Sequence, residues 1–224
     1  MKIIILTIIS SVAAIAFSAC SQPASNNSMN HNSMMMNSNS QMNMNGMNHN
    51  SMAMNSNMPM NHSGMKSDAN AASAPYDLQF IDTMSAHHTG AVEMAKMVDG
   101  RTQNPDMKKF AADIIRDQEK ETAQMKDWRA KWFAGKPAAM NMEMPGMADS
   151  MKMDMAKLST AKNKDFDLAF IEMMTSHHAG AVLMAKEALQ KSEKAEIKTL
   201  ATQIIKAQEA EIKMMQGWKT GWAN

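Results

Sequence analysis

The stretch "DLQFIDTMSAHHTGAVEMAK" (77–96) recurs without a gap as "DLAFIEMMTSHHAGAVLMAK" (167–186), an offset of 90 residues. The same offset sets "IIRDQEKETAQMKDWRAKW" (114–132) over "IIKAQEAEIKMMQGWKTGW" (204–222). A repeat of this kind is one supersecondary unit used twice, and each unit reads as two helices. The first helix runs from about Tyr76 to Val98 and stops at Asp99-Gly100. Asn104 then offers an N-cap and Pro105 a residue preset for the first turn of a second helix, which reaches about Trp132 before Gly135 and Pro137. In the second copy a helix starts at Asn163 or Asp165 and reaches about Leu189, and Ser192 can cap another that reaches about Trp222.

Phe110, Ile114, Met125, Trp128 and Trp132 fall on one stripe at multiples of a helical turn, and Leu200, Ile204, Met215, Trp218 and Trp222 repeat it. Nothing in the chain reads as a strand. The expected fold is all-α, an antiparallel four-helix bundle made of two duplicated hairpins and occupying 75–224. Repeat 1 spans 76–133 and repeat 2 spans 165–222, joined by a longer segment over 134–164 that carries "MNMEMPGM" (140–147) and "MKMDM" (151–155). Those alternating methionines are either a soft-metal segment or loop filler.

Residues 1–19 have the form of a signal peptide, with Lys2 ahead of an apolar run from Ile3 to Phe17 that is too short for a comfortable membrane span. The run ends in "FSAC", and Cys20, the only cysteine, is similar to the lipidated cysteine of a bacterial lipobox. The chain is therefore expected in the bacterial envelope, in the periplasm and lipid-anchored through Cys20. A single cysteine allows no internal disulfide. Residues 20–74, built almost wholly from Asn, Ser, Met and His, have no apolar period and read as a disordered tether. With 23 Lys and Arg against 22 Asp and Glu, no charge surplus selects nucleic acid or an anionic surface.

The tether places its three histidines in one unit. His31 lies between Met29 and Met34, His49 between Met47 and Met52, and His62 between Met60 and Met65. Thioether and imidazole suit Cu(I) or Ag(I), whereas hard cations require carboxylate oxygens that this stretch nearly lacks. The bundle repeats the same two ligand types. Met84, His87 and His88 share one face of the first helix with Met94 a further turn along, and Met174, His177, His178 and Met184 repeat the pattern. On the partner helices Glu121 and Glu211 interrupt the apolar stripe. Each is placed either to take a hydrogen bond from an imidazole and fix the ring or to set the helix register through an inter-helix hydrogen bond, while Met125 and Met215, one turn on, can add a thioether.

"FIDTMSAHHTGAVEMAK" followed by "IIRDQEKETAQMKDW" resembles the CopM-like family of exported Met- and His-rich proteins, catalogued as a domain of unknown function with a ferritin-like bundle. The resemblance covers 76–132 and 166–222. It implies copper-ligand candidacy for Met84, His87, His88, Met94 and Met125, and for Met174, His177, His178, Met184 and Met215. The chain departs from the common "Met-Ile-Pro-His-His-Gln-Gly" form at Ser85-Ala86 and Thr175-Ser176, and at Thr89 and Ala179. The expected function is capture of Cu(I), with Ag(I) as its mimic, for buffering or for transfer to an envelope transporter or chaperone, without catalysis. A ferritin-like di-metal oxidoreductase is a weaker alternative, because no histidine here has a glutamate three residues before it. A metal-free interaction lipoprotein is the other.

Overall fold

In the computed structural model, residues 64–223 are described, and among them every regular element is helical. The helices are α1 (Tyr76–Lys96), α2 (Pro105–Trp132), α3 (Met147–Ser150), α4 (Met155–Thr160), α5 (Asn163–Lys191) and α6 (Ala195–Ala223). α1 packs along α2 and α5 along α6, and the two hairpins meet chiefly through α1 against α5. The expected four-helix bundle of two hairpins is the observed one.

The termini follow local chemistry. Asn104 accepts hydrogen bonds from the amides of Asp106 and Met107, with Pro105 at the first helical position. α1 ends at Lys96, two residues short of the expected Val98, and Met97 to Arg101 form a turn in which Gly100 takes φ 72°. α5 continues past the equivalent point to Lys191, because Leu189-Gln190 replaces the Asp99-Gly100 stop. Ser192 caps the tight turn, accepting from the amide of Lys194, and α6 starts after it at Ala195.

Within each hairpin the register is the same. Ser85 faces Met125 and His88 faces Glu121 across α1 and α2, while Thr175 faces Met215 and His178 faces Glu211 across α5 and α6. Stacked pairs Trp128 with Trp132 and Trp218 with Trp222 lie toward the far ends of α2 and α6. Phe110 meets Trp218 edge-on at 5.4 Å, tying α2 to α6.

The connection between the hairpins is not a loop hanging outside. Met147, Met151, Met153, Met155 and Leu158 are buried in the one core, and α3 lies on α5. Asn141 pins its start. Its amide donates to Thr83, its side-chain nitrogen donates to Gln79, and its carbonyl oxygen accepts from the amide of Glu143. Arg129 pairs with Asp82 at 2.7 Å, and the other oxygen of Asp82 takes the amide of Ala139.

The expected boundary at Pro75 falls too late. The amide of Asp68 donates to the carbonyl of Met140, the carboxylate of Asp68 accepts from the amide of Met140, and Ala71 is buried. Met65, expected to close the last tail unit, is partly buried against the core. The signal peptide, Cys20, and the units around His31, His49 and His62, with Met29, Met34, Met47, Met52 and Met60, lie outside the described residues. No helix among the described residues is long and apolar enough to cross a membrane.

Candidate metal centre

The four bundle histidines are all fully buried. Neighbours in sequence are rotated by about 100° on a helix, and here that rotation divides each pair between two sets of partners. His88 turns to its own hairpin, with Nε2 2.6 Å from Glu121 Oε2. Because a carboxylate only accepts, Nε2 is the donor, and Nδ1 is buried without a hydrogen-bond partner among the described residues. In the second copy His178 Nε2 lies 2.7 Å from Glu211 Oε2. That approach is close, but the ring N–H is not aligned on the oxygen as in the first copy, so both its nitrogens lack a well-formed hydrogen bond. Glu121 and Glu211 are only partly buried, at the edge of the bundle.

Ser85 Oγ and Thr175 Oγ1 donate to the sulfurs of Met125 and Met215 at 3.9 and 3.7 Å. The residues that depart from the common family form thus hold the partner-helix thioethers one turn from the glutamates. Sequence reading missed this role, although a hydroxyl three residues before a histidine in both copies was its signal. Met84, Met94, Met174 and Met184 are wholly buried in the same core.

His87 and His177 turn the other way, toward each other across the α1–α5 contact. Their ring centroids are 3.7 Å apart with the planes inclined by 34°. His87 Nε2 is 2.9 Å from Ser150 Oγ, which itself donates to the carbonyl of Met147, so His87 donates and its Nδ1 is the free lone pair. Among the described residues no well-formed hydrogen bond reaches either ring nitrogen of His177. Burial, then the nearby histidines, hold both rings well below the ordinary value of 6.5, so both stay neutral at neutral pH and keep their lone pairs for a metal.

Among the described residues no three His, Cys, Asp or Glu side chains converge on a point that could hold a metal ion. Buried methionines share the core with all four imidazoles. Neutral imidazole with thioether is the donor set that Cu(I) and Ag(I) prefer, and the orphaned ring nitrogens fit such ions. Should the hairpin imidazoles ligate Cu(I), Glu121→Gln combined with Glu211→Gln is expected to weaken Cu(I) affinity roughly 10- to 100-fold with little change in melting temperature. Competition against a chromogenic Cu(I) chelator measures it, and unchanged affinity would remove the glutamates from the site.

Residues 15–129 and 77–219 match the DUF305 family, a domain of unknown function, in two overlapping placements. None of the curated proteins matches the chain. Among solved structures, CopM in the Cu(I)-bound form is 38% identical, with TM-score 0.56, over 66% of this chain and 98% of that one. CopM in the Ag-bound form obtained by co-crystallisation is 39% identical, with TM-score 0.55, over 66% and 98%. A DUF305 protein from Streptomyces coelicolor, described as secreted, is 31% identical, with TM-score 0.60, over 69% and 96%. With the duplicated hairpin, the paired histidines and the orienting glutamates on one side and these matches on the other, the chain is a CopM-like member of the DUF305 family.

Proposed function

We propose that this protein is an exported metal binder that captures Cu(I), and Ag(I) as its mimic, and buffers it or hands it to a transporter or chaperone of the envelope. One observation carries the reading. Four imidazoles with unpaired ring nitrogens are buried among methionines, where a polar group left without a partner costs about 1–3 kcal/mol. A soft ion would relieve that cost. The kinship with CopM, crystallised with Cu(I) and with silver, supports the choice of ion. In this reading the protein binds and does not catalyse, a lipid on Cys20 holds it to the membrane, and the units around His31, His49 and His62 gather ions for the bundle.

The test is Cu(I) titration of the mature protein under reducing, anaerobic conditions. Deleting residues 29–62 should lower the number of ions taken up and the rate of uptake, while the tightest affinity stays, because a tethered set of weak sites raises local ion concentration without changing the ordered ones. If the intact protein holds Cu(I) no more tightly than a variant with all seven histidines replaced, the proposal fails. If tight binding vanishes with the tail, the bundle is scaffold only.

A further inference from the structure

The duplicated helices are close to equivalent, but the segment between them is single and packs against one side of the bundle. That breaks the equivalence at the two inner histidines. His87 has Ser150 as its partner, and among the described residues no side chain plays that part for His177.

His177 Nε2 closes instead on Gly90. A Cβ at Gly90 would lie 3.3 Å from His177 Nε2, 3.1 Å from Met153 Cε and 3.3 Å from Met151 Cε, all tighter than ordinary van der Waals contact. Glycine there lets one imidazole nitrogen and the terminal methyls of two thioether side chains come together against the helix. At the equivalent Gly180 the space is filled otherwise, with Ser150 Cβ and Oγ each 2.4 Å and the Gly146 carbonyl oxygen 2.7 Å from the position a Cβ would take.

The chain places both methionines with a tight turn. The amide of Met153 donates to the carbonyl of Met151 at 2.9 Å, a two-residue closure that leaves Lys152 outside, paired with Asp149, and both methionines buried. Alternation does the rest, since Lys152 and Asp154 are exposed while Met151, Met153 and Met155 face inward.

We propose that Met151, Met153 and His177 form a soft-metal site of their own at the junction of the two hairpins, taking one Cu(I) or Ag(I) ion through two thioether sulfurs and one imidazole nitrogen. It rests on the Cu(I)-binding reading above and deepens it, because its ligands come from the inter-hairpin segment and so belong to neither repeat. Two soft sulfurs and one nitrogen satisfy a monovalent d¹⁰ ion, and they offer little to Zn²⁺, which takes four N, S⁻ or O donors. The site occurs once per chain, in contrast to the paired His88 and His178 positions.

The experiment compares the mature full chain with Met151→Leu/Met153→Leu, a nearly volume-conserving change, and with Met140→Leu/Met142→Leu as the control on the same segment. Each is saturated with Cu(I) anaerobically, the retained metal is counted, and the sulfur share of the coordination is read by copper X-ray absorption. The expected result is one fewer tightly held ion and a lower sulfur share for the first variant only. In parallel, Ag(I) added to the unaltered protein should shift the ¹⁵N resonance of His177 Nε2, a readout that does not depend on how the variant folds. Equal stoichiometry and equal sulfur share in the first variant, or a His177 resonance unmoved at saturating Ag(I), overturns the site. If the unaltered protein itself holds no more Cu(I) than the histidine-free variant, the wider function falls as well, so the two failures are told apart.

Discussion

Gly180→Ala is expected to destabilise the protein and free the segment that closes over the inner histidines. In an exposed helix the same substitution stabilises by about 1 kcal/mol, since alanine is the better helix former. At Gly180 the new methyl would stand 2.4 Å from Ser150 Cβ and 2.7 Å from a backbone carbonyl, contacts that no rotamer change can relieve. Overpacking of that kind costs about 1–3 kcal/mol, so it outweighs the propensity gain. Displacing α3 also removes Ser150 from His87, leaving a second buried imidazole without its donor's partner. Gly217, exposed on α6 with nothing within 4 Å of a new Cβ, is the matched control and should be stabilised. Urea midpoints of the two variants decide the matter. A Gly180→Ala protein as stable as Gly217→Ala would mean that α3 does not rest on α5.

The second large effect is a loss of stability in mild acid. His87 and His177 are held well below 6.5 in the folded state by burial, and in the unfolded chain they titrate at about that ordinary value. Below it the unfolded chain binds protons that the folded one refuses, so stability is full above about pH 6.5 and falls as pH falls. Each group contributes a limiting slope of about 1.4 kcal/mol per pH unit, roughly 2.8 for the two together. The carboxyls of Asp113, beside Lys109 and Arg116, and of Asp149, beside Lys152, are held below the ordinary value of 3.8, so their contributions are lost only in stronger acid. Asp167, raised by burial, acts in the opposite sense as one group against two. Denaturant melts of the metal-free protein at pH 7.5 and 5.5 test the claim. A flat profile would sink it, and Cu(I) should restore stability at the lower pH by holding the rings unprotonated.

Much of the fold was legible because the duplication aligns without gaps and punctuates itself. Asn104-Pro105 and Gly100 act in the structure as caps and stops act in isolated helices. The orienting glutamates were legible too, since a carboxylate on an apolar stripe needs a partner and His88 and His178 supply it. The division of each histidine pair was not. Periodicity places His87 and His88 on one broad face, but which neighbour each meets depends on where α5 and the connecting segment lie, and no local pattern encodes that. The connecting segment itself has no 3.6-residue period, and its methionines at 151, 153 and 155 point inward by alternation along irregular backbone. Its role was left open between filler and ligand, because only the packed arrangement shows Met151 and Met153 beside an unpartnered imidazole. Ser150, Gly90 and Gly180 matter through close approach, for which "HHTG" and "HHAG" were the sole hint.

The single connection between two repeats has a consequence for how such a protein can diverge. Two separate copies of one hairpin, paired about a true axis, would be bound to present every ligand set twice or not at all. Joining them in one chain lifts that constraint, because Ser150 can serve one inner imidazole and leave its twin bare. A covalently joined pair can therefore give two inner imidazoles different surroundings, which a symmetric pair of separate hairpins could not.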